Sequence, residues 1–212
     1  MKYIIMCGGT YRKWEQPRQL TRIRGEPIVA RTIRLLREAG VEDIAISSNN
    51  DIFEQFGVPV LRHENGFVVK EPWHVDGTWV DGFYLTDEPV CYIFGDVVFS
   101  SEAIRTIVET EATRIQFFAS APPFALEYSK PWAEPFALKV WNTDLLKDAI
   151  HTLKWFESHG MFNRPPIMWE LWNVITGHDL NSIDYTSYMP INDYTCDIDA
   201  PEDAAIFESM DI

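Results

Sequence analysis

The apolar positions of this chain fall into two alternating rhythms. Residues 2–7 are nearly all apolar and read as a buried strand that runs into the turn Gly8-Gly9-Thr10. From Ile28 the spacing becomes helical. Ile28/Val29, Ile33, Leu35/Leu36 and Ala39 share one face, Arg31, Arg34 and Arg37 lie on the others, Pro27 opens the first turn and Gly40 ends it. Strands follow at 43–47 and 58–61, with a short helix over 51–56 between them. Residues 62–77 are irregular, rich in charge and aromatics, and read as a surface loop or flap; 78–85 is a candidate helix. Val90-Cys91-Tyr92-Ile93-Phe94 is apolar throughout, as a central parallel strand buried on both faces should be, and it ends in Gly95-Asp96.

The alternation continues to the end of the chain. Ser100 or Ser101 caps a helix to about residue 111, 115–119 is a strand, and 136–141 is another, open to an antiparallel orientation. Thr143 caps a helix that buries Leu145/Leu146, Ala149/Ile150, Leu153 and Phe156. A shorter helix over 167–175 closes near Gly177, 194–198 is a last strand, and Pro201 opens a final helix. No repeat or linker interrupts this order. The pattern predicts one α/β domain over 1–212, a doubly wound, mostly parallel mixed sheet flanked by helices, with ligands at the carboxyl ends of its strands.

Charge sharpens the picture. Residues 1–37 carry nine of the eighteen Lys and Arg against two acids, Glu15 and Glu26, in a chain whose formal net charge is −14. A strand, a glycine turn and local positive charge in an otherwise acidic protein suit a polyphosphate. Glycine lets backbone N–H groups approach the oxygens, and the cations offset the charge. The overall acidity argues against a nucleic-acid partner. No apolar run approaches membrane-spanning length. The three cysteines, Cys7, Cys91 and Cys196, show no zinc spacing and fit buried thiols in a reducing cytoplasm.

Two acids stand out by position. Asp96 follows the most apolar strand, and Asp199 lies between the last strand and the last helix. Two carboxylates from distant parts of the chain, meeting over a basic glycine loop, would hold Mg²⁺ beside a triphosphate. Plainer readings stand beside these: Asp96 as a turn former, Asp199 as the cap of the final helix, Asp197 as an outward-facing or capping residue. Trp132, Trp141, Trp155, Trp169 and Trp172, with Tyr185, Tyr188 and Tyr194, crowd the second half and read chiefly as core or interface, with a cage for an organic cation as the sharper alternative. Glu134, Lys139 and Glu170 read as solvated surface, with acceptor contacts as the alternative. The five histidines show no ligand spacing.

In order along the chain, Cys7-Gly8-Gly9-Thr10-Tyr11-Arg12-Lys13, Pro17-Arg18-Gln19-Leu20, Gly25-Glu26-Pro27, Gly95-Asp96 and Ile198-Asp199-Ala200-Pro201-Glu202-Asp203 resemble the motifs of the GT-A-like nucleotidyltransferases that activate sugar phosphates and small alcohol phosphates. By that resemblance Gly8, Gly9 and Thr10 cradle the nucleotide, Arg12 or Lys13 meets its phosphates, Gly77 and Thr78 touch the base, and Arg18 steadies the transition state. Asp96 and Asp199 hold Mg²⁺. The partners implied are a nucleoside triphosphate, CTP slightly favoured, and a phosphorylated small-molecule acceptor, with residues of about 1–120 forming the nucleotide half and 121–212 the acceptor half. Association with further copies of the chain stays open. Three positions depart from the family pattern: Tyr11 stands for a glycine, and Arg18 and Glu26 for lysines. Arg forks over oxygens where Lys acts as a point charge. The implied reaction needs no protein nucleophile, since the attacking phosphate oxygen is already ionised. A GT-A glycosyltransferase, suggested by Asp197-Ile198-Asp199, and a non-catalytic nucleotide-binding protein are the competing readings.

Overall fold

The structure is a computed structural model, which describes residues 1–8, 14–63, 68–70, 74–76, 79–111, 114–122 and 132–212. Its sheet has seven strands: β1 (Lys2–Met6), β2 (Ile44–Ser47), β3 (Val60–Leu61), β4 (Val90–Phe94), β5 (Ile115–Ala119), β6 (Pro135–Val140) and β7 (Met189–Pro190). They lie in the order β7-β5-β6-β4-β1-β2-β3. β1 pairs in parallel with β2 and β4, and β2 in parallel with β3. β6 runs antiparallel between β4 and β5, while β7 joins the far edge parallel to β5. β4 is buried at every position, as its unbroken apolar run requires.

The described residues form five α-helices: α1 (Ile28–Glu38), α2 (Ser101–Glu109), α3 (Thr143–Ser158), α4 (Met168–Thr176) and α5 (Pro201–Glu208). α1 packs on α2, and α3 on α4. Ser100 caps α2 by accepting from the Ala103 N–H, and the cap of α3 is Asn142 rather than Thr143. Gly177 closes α4 in the left-handed conformation that only glycine adopts freely.

Several expected elements differ in kind. Asp51–Phe56 and Trp79–Gly82 are 3₁₀ turns, too short for a full α-helical ladder. A small hairpin, Val68–Lys70 with His74–Asp76, lies within the segment expected to be irregular. The strand expected at 194–198 does not enter the main sheet. Its Cys196–Asp197 pairs antiparallel with Val97–Val98 in a separate ribbon, and the true edge strand is β7. Arg31, expected on an outer face, is buried. Its guanidinium donates to the Phe99 carbonyl and the Tyr194 hydroxyl, which ties α1 to the C-terminal segment.

The main core fills both faces of the sheet, and all three cysteines are buried thiols. A satellite cluster of Ile23, Ile28, Val98, Cys196, Ile198 and Phe207 joins α1, α5, the ribbon and the hairpin Arg22–Ile23/Glu26–Pro27. Arg24 turns that hairpin at a φ of 52°, and its N–H donates to Glu208 on α5. Cys196 and Ile198 of this cluster alternate along the chain with Asp197 and Asp199. Among the described residues no helix is long and apolar enough to cross a membrane.

Candidate active site

The carboxyl end of β4 and the start of β6 meet at one edge of the sheet, because β6 is antiparallel. A cavity of about 600 Å³ opens there, lined in part by Gly8, Arg18, Asp96, Glu134, Asp197 and Asp199. Gly95 makes the approach possible. Its N–H donates to the Met6 carbonyl, and a Cβ at this position would overlap that same oxygen, with Cys7 Sγ only 2.9 Å away. Asp96 is thereby carried over the end of β1.

Asp199 reaches the same place from the other end of the chain. The ribbon aligns Asp197 with Val97, and the Ile198 N–H donates to the Asp96 carbonyl at 3.0 Å. Asp199 does not cap α5. That task falls to Asp203, whose Oδ2 accepts from the N–H groups of Asp199 and Ala200. The Asp199 carboxylate is left to face the cavity.

Arg18 spans the two acids. It sits in a 3₁₀ turn, Arg18–Leu20, anchored by the buried Gln19 and Leu20. Nη2 pairs with Asp96 Oδ2, while Nη1 donates to Asp199 Oδ1 at 2.9 Å and to the Ile198 carbonyl at 3.1 Å. A planar fork can hold both carboxylates at once, which a lysine at this position could not do in the same way.

Two further acids, not assigned to a metal from the sequence, join Asp199 here. Glu134, Asp197 and Asp199 bring carboxylate oxygens within 4.8 Å of one another, a hard-oxygen set suited to a divalent cation. Asp96 is linked to this trio through Arg18. The Glu134 backbone N–H donates to Ser120 Oγ, and its carboxylate accepts from the Trp132 indole. Its place follows from the antiparallel register of β6, for which the sequence carried only a weak signal. Asp197 was available as half of Asp-Ile-Asp.

The other expected residues scatter. Gly8 lines the cavity; Gly9, Thr10, Arg12, Lys13, Gly77 and Thr78 lie outside the described residues. Trp132 and Trp169 line the cavity together with Trp79, whereas Trp172 is buried and donates to Ser187. Trp141 and Trp155 are at the surface. Lys139 is buried away from the cavity, and its Nζ donates to the carbonyls of Ile107, Val108 and Thr110, closing the end of α2. Glu170 is buried too. It accepts from Arg164 Nε at 2.8 Å and from the Ile167 N–H at 2.9 Å. Burial raises the Cys7 thiol well above its ordinary pKa, and the Asp96 carboxylate adds to this.

A mostly parallel α/β sheet with Arg18 bridging two remote carboxylates at the carboxyl ends of its strands puts the cavity where open α/β sheets bind ligands. Residues 3–112 match the family model described as the MobA-like NTP transferase domain; the chain belongs to that family and is a nucleotidyltransferase. No curated protein matches the chain. Solved structures resemble it over nearly its whole length. The inositol-1-phosphate CTP transferase from T. maritima is 15% identical with a TM-score of 0.60, over 98% of this chain and 93% of that one. The CTP:phosphocholine cytidylyltransferase from Streptococcus pneumoniae is 14% identical with a TM-score of 0.53, over 98% and 97%. A UDP-glucose pyrophosphorylase from Acinetobacter is 12% identical with a TM-score of 0.55, over 98% and 91%. At these identities the likeness establishes the fold.

Proposed function

We propose that this protein joins a nucleoside triphosphate to a phosphorylated small molecule and releases pyrophosphate, with Mg²⁺ as cofactor. CTP is slightly favoured, on the likeness to two structures named for CTP. The observation that carries the reading is the Arg18 bridge between Asp96 and Asp199 in one cavity. Residues of about 1–120 supply the nucleotide side and 121–212 the acceptor side.

Each residue then has a task. Gly8, Gly9 and Thr10 present backbone N–H groups to the phosphates. Arg12 or Lys13 neutralises them, and Gly77 and Thr78 touch the base. Arg18 exchanges carboxylate oxygens for phosphate oxygens as the triphosphate enters, keeping its fork filled throughout. Asp96 and Asp199, the two acids that Arg18 bridges, would hold Mg²⁺, with Glu134 and Asp197 offering further carboxylate oxygens beside Asp199. When bound, the ion neutralises the triphosphate and makes pyrophosphate a better leaving group. An acceptor phosphate oxygen forms a bond to the α-phosphorus as the bond to the β-phosphate oxygen breaks. No base is needed, because that oxygen is ionised at neutral pH. The protein contributes alignment of two anions and neutralisation of their charge.

The test is a thermal-shift screen of the four ribonucleoside triphosphates with Mg²⁺, followed by pyrophosphate assays over a panel of phosphorylated acceptors. Pyrophosphate that depends on an acceptor supports the reading. Release of a nucleoside diphosphate from a nucleotide sugar would point to glycosyl transfer instead. Triphosphate binding without turnover over the whole panel would point to a non-catalytic binder.

A further inference from the structure

Two guanidinium groups line the cavity among the described residues, and Arg18 is occupied by Asp96 and Asp199. The other is Arg164, in the loop between α3 and α4. Its setting is that of a built ligand group. Glu170 is 5% exposed, and a buried carboxylate is costly unless paired. It holds Arg164 by Nε alone, which leaves both terminal nitrogens of the half-exposed guanidinium disengaged among the described residues. The backbone around Arg164 is also restrained. Pro165 and Pro166 follow it, the Asn163 N–H donates to Asn181 Oδ1, and Glu170 accepts from the Ile167 N–H. An arginine pinned at Nε with its outer edge turned toward a cavity is prepared for a tetrahedral oxyanion.

We infer that Arg164 binds the phosphate of the acceptor, and that Glu170 is the residue that positions it. The inference rests on the nucleotidyl-transfer reading above and adds to it the place and chemical class of the second substrate: a phosphate monoester whose organic part lies along Ile167, Trp169 and Ile183, which line the same cavity. Among the described residues the cavity otherwise presents four carboxylates, Asp96, Glu134, Asp197 and Asp199, so an acceptor anion needs a cation of its own.

The probe is inorganic phosphate, titrated calorimetrically into the full chain with Mg²⁺ and a non-hydrolysable analogue of whichever triphosphate gives the largest thermal shift. In Arg164→Ala, phosphate affinity falls at least about tenfold while triphosphate affinity changes by less than about twofold, since a charge-assisted fork is lost from one subsite only. Arg164→Lys recovers part of the loss. Glu170→Gln weakens phosphate without moving the triphosphate, an effect a merely structural role would not confine to one ligand. Should Glu170→Gln fail to fold, the half-exposed Arg164 variants carry the test. Unchanged phosphate affinity in Arg164→Ala overturns the inference, as does a triphosphate-loaded wild type that takes up no phosphate. Failure of wild type to bind any triphosphate, read in the separate thermal-shift arm, overturns the nucleotidyl-transfer reading instead.

Discussion

Arg18 is the residue on which the site turns, because its guanidinium pairs with both acids brought together from distant parts of the chain. Replacing it by alanine removes the fork that aligns phosphate oxygens. Pyrophosphate release is expected to fall at least about a hundredfold, with an unchanged circular dichroism spectrum. Asp96→Asn is expected to do the same by removing one of the two carboxylates that the proposal gives to Mg²⁺. Gly95→Ala tests geometry rather than charge. The added methyl overlaps the Met6 carbonyl, so β4 must shift; a loss of about 1–3 kcal/mol in urea unfolding, together with loss of turnover, is expected. His63 gives a pH signature. Desolvation lowers its pKa from 6.5, and the Asp81 charge only partly opposes this. The unfolded chain therefore binds the proton more readily, so the stability tied to neutral His63 is complete above pH 6.5 and is lost as pH falls toward the folded value. Urea midpoints measured from pH 7.5 to 5.5 should fall in the wild type more steeply than in His63→Phe.

At the scale of elements, what the sequence disclosed depended on whether a signal was local. β1, β4 and α1 could be read directly, since an unbroken apolar run and a helical face are written within a few residues. The meeting of Asp96 with Asp199 could be anticipated from motif order, and the ribbon of Val97–Val98 with Cys196–Asp197 is the device that achieves it. Glu134, read from the sequence as surface or an acceptor contact, was not grouped with Asp199 because its place depends on the antiparallel register of β6, and β7 was missed because two residues at an edge leave no pattern. Lys139 was misread as surface for a similar reason. Alternation along β6 puts it on a buried face, and only the end of α2 beneath it explains a lysine there. Lys139→Met should cost about 2–4 kcal/mol by leaving carbonyls of that helix end without a donor, measurable by urea unfolding, with triphosphate binding retained. Asp203→Ala, which removes the cap of α5 and the acceptor of the Asp199 N–H, should cost about 1 kcal/mol and weaken turnover by loosening Asp199.

At the scale of the whole molecule, an acidic protein concentrates its basic residues in the first part of the chain and places the Arg18 turn against carboxylates supplied by β4, β6 and the C-terminal ribbon. That arrangement gives a highly charged small ligand a local partner while the rest of the surface repels polyanions. The central claim is that this one cavity transfers a nucleotidyl group. The most direct measurement is pyrophosphate release by the wild type and by Arg18→Ala, with Mg²⁺, the preferred triphosphate and a panel of phosphorylated acceptors. The account predicts acceptor-dependent pyrophosphate from the wild type and almost none from the variant; equal release from both would contradict it.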